Sequence, residues 1–579
     1  MKHLLRSVAV AVPLVVLASW PLARPAGQLV QRNADGYGSA WLVWRLGEGG
    51  SLGDLQFVDT LLFGLLAPLV APFGPALGYH LVTLLALVLG VVVAERVAAR
   101  VFGSPWPASL VAGLAFGLSP LAGTALAEGH GGMLLGAGLA LLLGALEREP
   151  GERPWRWAAL VTLAGCLCAL QSGYFGVMAA LVVGVYGGLR RRPVHRVALL
   201  AAAPAAAYVV YVLGTEAMAL EAIAMRVGDR IAPAATADSL AGVPPGMGLA
   251  WYHVRFPLLF GLLALGGLLP LLRGQGPDRA LALTGLVAVA LSFGAEARLT
   301  VFSQAFQEQA IGAPWGWLTW AFAPLGLFRF PTRFLWVWYL CGGMAAARLV
   351  GWLVQSRGRW LLTAVVFAEL LVLGMRPWEP REVPAEVPSA YEVLRDEHVV
   401  LDLWPWYTDS LSLPLLNLSC YYQTAHAADL PYPCLTVASR TSPLRSRVDA
   451  MVAAVMDDDP SRARTIVKAD GITHIAWHPD AFPPEGRKRM QDVLKRWFGF
   501  PLATSRNGGE LVVLWAVRSG YAATESPVAP WPEPGDGTCA SCLDAVEAAP
   551  PTTPRDPVPP WTLLLAGALL AVPIWRMRS

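Results

Sequence analysis

The sequence predicts an α-helical polytopic membrane protein of about twelve transmembrane helices with a small extracytoplasmic α/β domain. Three observations predict it. The 579 residues are 55% hydrophobic and only 15% charged, with mean hydropathy +0.49, whereas soluble domains carry nearer a quarter charged residues. Apolar runs of helix length recur through residues 1–375. Across 376–519 charge and proline rise, and the apolar runs shorten to strand length. The net charge of +3 is spread over short loops rather than one patch, which gives a nucleic-acid partner no support. Seven cysteines are too few for a disulfide scaffold.

The first apolar segment, 7–22, follows Met-Lys-His-Leu-Leu-Arg and reads equally as an anchor or a cleaved signal peptide. Residues 29–60 then read as a polar, acidic, aromatic-rich loop. Residues 61–73, broken by Pro68 and Pro72, read as an interfacial or re-entrant helix. Further spans are expected at 77–94, 108–126, 133–146, 157–170, 175–188, 197–213, 257–272, 280–293, 334–353, 360–375 and 561–574. Basic residues test their orientation. Arg96 and Arg100, Arg148 to Arg156, Arg190 to Arg196, Arg273 and Arg279, and Arg348 to Arg359 all fall in loops of one parity. The short loops of the other parity, Glu128-Gly-His130 and Gln171-Ser-Gly-Tyr174, contain no arginine or lysine, so both termini are expected in the cytoplasm. The domains expected are a transmembrane part at 1–375, an extracytoplasmic α/β domain at 376–519, a Pro-rich linker at 520–559 and a last helix at 560–579.

Within the α/β part, 387–396, 442–456, 461–469 and 485–497 read as helices, and 398–403 and 472–477 as strands. A hairpin is expected around Asn507-Gly-Gly509. A stretch rich in Trp and Phe, 315–330, suits a headgroup-level belt and also sugar stacking. Short inside loops and abundant Ala, Gly, Leu and Arg point to the inner membrane of a bacterium with a GC-rich genome.

Several residues carry chemistry. Asp35 sits where a membrane enzyme keeps a general base, but a solvated loop aspartate or a helix cap explains it too. Tyr37 and Trp41 beside it, with Trp44, offer stacking surface; Asp54 and Asp59 are weaker carboxylate candidates. Arg329 and Arg333 lie four apart at the outer entry to a span, against the positive-inside trend. They read as a bidentate phosphate clamp or as snorkelling cations. His253, Arg255 and Arg298 are placed to join them, and Glu128 with His130 reads as pocket lining or a proton relay. No Asp-x-Asp pair occurs in the loop, so a divalent metal is allowed but not compelled. Cys420 and Cys434 form a plausible bridge in an oxidising compartment. Cys539 and Cys542 read as a local disulfide or two free thiols, and Cys166, Cys168 and Cys341 as packing residues.

Several segments together resemble the large integral-membrane glycosyltransferases of the C superfamily (GT-C), in a bacterial branch with a C-terminal outside domain. They are the Asp35 stretch with Trp41 and Trp44, the Pro-broken helix near 63–73, SPWPASLVAGLAFGLSP at 104–120, the Gly129-His130 pair and FRFPTRF at 328–334. In the outside domain VVLDLWPW, YYQTAHAAD and GITHIAWH add to them. The resemblance implies an inverting transfer from a polyprenyl-phosphate sugar, with Asp35 as base and a basic pocket on the lipid phosphate. The acceptor would be an envelope glycan, lipid or protein on the outer face, and the partners would be the lipid-linked donor and membrane lipids. Two alternatives compete: a non-catalytic scaffold with an extracytoplasmic binding domain, and a lipid or glycan transporter. Transport wants ionisable residues inside the spans, of which Glu369 is the main one.

Overall fold

A computed structural model describes residues 2–23, 28–31, 35–48, 60–127, 129–148, 154–190, 257–292, 296–298, 310–312, 331–375, 381–384, 386–404, 412–430, 443–506 and 511–517. The chain is mostly helical. Its first part contains α1 (Lys2–Ala18), β1 (Gln28–Gln31), α2 (Asp35–Gly47), α3 (Thr60–Val70), α4 (Pro75–Arg100), α5 (Ser109–Gly117), α6 (Pro120–Ala127), α7 (Ala137–Glu147), α8 (Pro154–Gln171) and α9 (Gly173–Leu181). Next come α10 (Leu258–Arg273), α11 (Pro277–Ser292), the β2 (Glu296–Arg298) and β3 (Ala310–Gly312) ribbon, α12 (Leu335–Leu353), α13 (Ser356–Glu369) and β4 (Arg381–Pro384).

Among the described residues, three helical stretches are long and apolar enough to cross a membrane: Pro75–Arg100, Ser109–Leu126 and Thr332–Leu353. Ser109–Leu126 is not one continuous helix. Pro120 has no amide proton to donate, so α5 ends there, and the Ser119 hydroxyl accepts the Ala122 amide at 3.2 Å to start α6. Small residues set how closely the helices approach. A Cβ on Gly113 would stand 2.5 Å from the Val91 carbonyl oxygen, and one on Gly267 2.4 Å from that of Ala345. The α4–α5 and α10–α12 contacts therefore require glycine, as membrane helix interfaces commonly do. Leu258, Leu262, Leu265 and Leu269 form an exposed stripe along α10, a face suited to lipid.

Within residues 29–60, expected to be a loop, the described part is not one: Gln28–Gln31 is strand. Residues 35–47 are helix, because Ala40, Trp41, Leu42 and Val43 are all buried, and packing on several sides outweighs the helix-breaking tendency of Gly36 and Gly38. The expected helix at 387–396 shrinks to a 3₁₀ turn, Ser389–Val393, after Pro388. The expected spans at 197–213 and 561–574, and the 520–559 linker, lie outside the described residues.

The C-terminal part adds β5 (Val400–Leu403), α14 (Ser412–His426), α15 (Pro443–Asp457), α16 (Pro460–Asp470), β6 (His474–Trp477), α17 (Pro484–Phe498), β7 (Ala503–Ser505) and β8 (Val512–Ala516). The sheet order is β5-β6-β8-β7, with β5 and β6 parallel and β8 antiparallel to both its neighbours. Sequence periodicity finds each of these elements except α14. Asp459 caps α16, accepting the Ser461 and Arg462 amides, and Gly471 in the left-handed region ends it.

Candidate functional site

The helix that begins at Asp35 is fixed from three directions. β1 pairs antiparallel with β4, Gln28 opposite Pro384 and Gln31 opposite Arg381, which ties the entry of α2 to the chain leaving α13. On a second side the Ser39 hydroxyl donates to the Gly129 carbonyl at 3.1 Å. Gly129 takes φ +75°, a conformation that favours glycine, and turns the chain after α6 so that His130 sits half-buried beside it. On the third side lies α14. The Trp41 indole N–H donates to Gln423 Oε1 at 2.8 Å, and the Tyr37 ring lies 5.1 Å from that of Tyr421. Tyr37 and Trp41, read from sequence as substrate contacts, thus pack against the C-terminal part; Trp41 is 5% exposed.

Arg333 ends the 3₁₀ turn Pro331–Phe334 that leads into α12. It is 6% exposed, and its guanidinium carbon stands 3.8 Å from the Tyr174 ring centroid. Tyr174 opens α9, where the Ser172 hydroxyl accepts its amide at 3.3 Å. Sequence reading left Tyr174 without a role. A charged guanidinium over an aromatic face, largely removed from water, is a strong orienting contact.

Glu369, the residue the transport reading relied on, accepts the Leu259 and Phe260 amides at 2.6 and 2.8 Å and so holds the N-terminus of α10.

Polar contacts sort the helix ends into two groups. Ser39 ties the α2 entry to the turn after α6, Arg333 ties the start of α12 to that of α9, and Glu369 ties the end of α13 to the start of α10. At the opposite end, the Ser7 and Ser109 hydroxyls donate to Glu95 at 2.6 and 2.9 Å. There Glu147 accepts from Tyr186 and Arg190, Asp278 pairs with Arg348, and Arg6 lies 4.2 Å over the Trp106 ring. A Cβ on Gly351, near the end of α12, would stand 2.7 Å from Pro105, just before α5, so the end of α12 shares this end with the start of α5 and its start shares the other with the end of α6. Asp35 and Arg333 therefore begin their helices at the same end of the bundle.

In the sheet, three segments singled out from sequence converge. Asp402 on β5, 1% exposed, accepts the Tyr391 hydroxyl and pairs with His478 Nε2 at 3.0 Å. The Trp404 indole lies flat on the His478 ring, centroids 3.5 Å apart, and its N–H donates to Ser419 at 2.8 Å. Burial alone would raise the Asp402 carboxyl, but the His478 hydrogen bond and charge and the Tyr391 hydroxyl outweigh it and hold it below its ordinary value. Burial pushes His426, whose Nδ1 accepts the Ala428 amide, down to about 4, against the pull of Asp402. Cys420 is disulfide-bonded, with its partner outside the described residues.

The side chain of Asp35 lies outside the described residues, as do Asp54, Asp59, Glu128, His253, Arg255, Arg329, Cys434, Cys539 and Cys542 and the side chain of Arg298. Among the described residues no group of three His, Cys, Asp or Glu forms a metal cluster.

No family model matches the chain, and no curated protein sequence matches it. Among solved structures, the arabinofuranosyltransferase AftD from mycobacteria superposes on 90% of this chain with TM-score 0.51 and 14% identity. The chain has the GT-C glycosyltransferase fold. The chain spans 40% of the length of that enzyme. ArnT from Cupriavidus metallidurans, bound to undecaprenyl phosphate, aligns with TM-score 0.49 and 13% identity over 89% of this chain and 98% of its own. AglB from Archaeoglobus fulgidus, in complex with an inhibitory peptide and a dolichol-phosphate, aligns with TM-score 0.42 and 11% identity over 91% of this chain and 75% of its own.

Proposed function

We propose that this GT-C chain is an inverting membrane glycosyltransferase that moves a sugar from a polyprenyl-phosphate donor to an envelope glycan, lipid or protein on the outer face of a bacterial inner membrane. The observation that carries the reading is the grouping of Asp35 and Arg333 at one end of a bundle of this fold. The bundle's other end gathers the arginine-rich loops, which supports assigning that end to the cytoplasm.

In the proposed reaction an acceptor hydroxyl gives its proton to Asp35 and its oxygen attacks the anomeric carbon. The bond from that carbon to the phosphate oxygen breaks, and the electron pair leaves on the polyprenyl phosphate. Arg333, with Arg329 four residues before it, holds the leaving phosphate; His253 and Arg255 stand next in line as phosphate contacts. His130 follows the Ser39–Gly129 contact at the same end, and Glu128 is assigned to the pocket with it. The C-terminal part, extracytoplasmic in this reading, adjoins the acceptor side.

The transport reading loses ground because Glu369 is engaged at a helix terminus rather than placed as a midplane relay.

The test is turnover of a panel of labelled polyprenyl-phosphate sugars by purified protein in lipid nanodiscs. Release of polyprenyl phosphate coupled to sugar transfer is expected from at least one donor. Binding of donors without release of polyprenyl phosphate from any of them would overturn the enzymatic reading in favour of a scaffold.

A further inference from the structure

We infer that α14 holds α2 in place through the buried side-chain amide of Gln423, which makes Gln423 a positioning residue for whatever chemistry residue 35 performs. The catalytic consequence rests on the reading of Asp35 given above; the structural one does not.

Gln423 uses both ends of its amide. Oε1 accepts the Trp41 indole N–H at 2.8 Å, and Nε2 donates to the Ala428 carbonyl at 2.9 Å. Flipping the amide would set donor against donor, so this pair of partners fixes its orientation. Both side chains are buried, and a buried polar group is costly unless paired. The bridge thus specifies one register of α2 against α14 where plain apolar packing would tolerate several. Trp41 lies six residues after Asp35, roughly 9 Å along the helix axis, so a shift at the bridge is carried to the start of α2.

The far face of α14 is anchored as firmly. The Trp404 indole N–H donates to Ser419, the Tyr422 ring lies 5.2 Å from Tyr391, and Tyr391 bonds Asp402 inside the sheet. Cys420, between these contacts, is disulfide-bonded. A continuous path of buried contacts therefore runs from β5 and β6 through α14 to α2. A glycan-binding module on a tether has no use for such a path, whereas a clamp on α2 does. The C-terminal part is, on this inference, a structural component of the site.

The experiment compares wild type, Gln423→Met and Gln423→Glu as full-length protein in nanodiscs, reading amide exchange across residues 36–44 as protection factors corrected for intrinsic rate. Gln423→Met keeps the volume and removes the acceptor; protection in α2 is expected to fall about tenfold while α4 is unchanged. Gln423→Glu reproduces the amide's pattern only when protonated. Its protection should match wild type at acid pH and fall as the pH rises and the carboxyl loses the proton it gives Ala428. Wild type should show no such dependence. Unchanged α2 protection in Gln423→Met, or a pH-independent Gln423→Glu, would overturn the inference. Where donor turnover is present, Gln423→Met should lower kcat about tenfold or more with the donor KM held, since a misplacement near 1 Å costs up to about a hundredfold. Loss of α2 protection in a protein whose wild type turns over no donor would leave the positioning inference standing and remove the assignment of Asp35.

Discussion

Arg333 shows how one contact sets a group's chemistry. Its guanidinium lies against the Tyr174 ring and is nearly buried, so its direction is fixed by an aromatic face. A desolvated contact of this kind is worth about 2 kcal/mol. Tyr174→Leu should therefore weaken binding of a polyprenyl phosphate by about tenfold to thirtyfold, with Tyr174→Phe close to wild type; titration calorimetry in nanodiscs reads the difference. A second prediction concerns His426, held neutral by burial with a folded value of about 4 against an ordinary value near 6.5. Below pH 6.5 the unfolded chain takes up a proton that the folded chain refuses, so stability falls as the pH drops from about 6.5 to about 4. The shift corresponds to an upper bound of about 3 kcal/mol. His474, lowered the same way by burial and by neighbouring His398, adds to the slope. His426→Asn, which keeps an acceptor for the Ala428 amide, should reduce but not abolish the loss of thermal midpoint between pH 7 and pH 4.5. An unchanged slope would remove His426 from the acid sensitivity.

At the scale of elements, sequence reading succeeded where one periodicity dominated. The apolar runs at 77–94 and 334–353 are helices because little else is possible for them, and the basic amphipathic stretch at 485–497 forms α17. It failed where tertiary burial decided. Residues 35–47 carry two glycines and two polar side chains in their first turns, and no local signal shows that α3, α4 and α14 will enclose them. The helix ending in YYQTAH went unread because it is buried on more than one face and shows no stripe. Of the candidate site, Asp35 and Arg333 were legible as residue types against a topological expectation. Tyr174, against Arg333, and Gln423, bonded to Trp41, were not, since nothing local to them signals a partner so distant in sequence. The Glu369 contact also belongs at this scale. Removing a carboxylate that accepts two backbone amides leaves both donors unsatisfied, so Glu369→Leu should cost about 2 kcal/mol or more. Glu369→Gln, which keeps one acceptor oxygen, should cost roughly half of that. Melting of the two variants by intrinsic fluorescence tests the order, and an undisturbed Glu369→Leu would contradict the capping role.

For the whole molecule, the two groups of helix ends make a definite claim about sidedness. Phe500 in the C-terminal part and Arg148 after α7 are both exposed and belong to opposite ends of the bundle in the proposed topology. In intact cells, Phe500→Cys should react with a membrane-impermeant maleimide and Arg148→Cys only after permeabilisation, with wild type as background. The reverse pattern would invert the orientation and with it the envelope acceptor. The fold itself, a bundle with closely packed glycine interfaces joined to a mixed sheet, matches AftD over 90% of this chain at 14% identity, as the resemblance of its segments led one to expect.

The central claim is that the residue opening α2 is the base of a glycosyl transfer. The measurement that meets it most directly is single-turnover sugar transfer by Asp35→Asn beside wild type, at saturating donor and with donor binding measured in the same preparation. The account predicts intact donor binding and a rate reduced at least about a hundredfold, the usual minimum for losing a general base. Equal rates in the two proteins would contradict it.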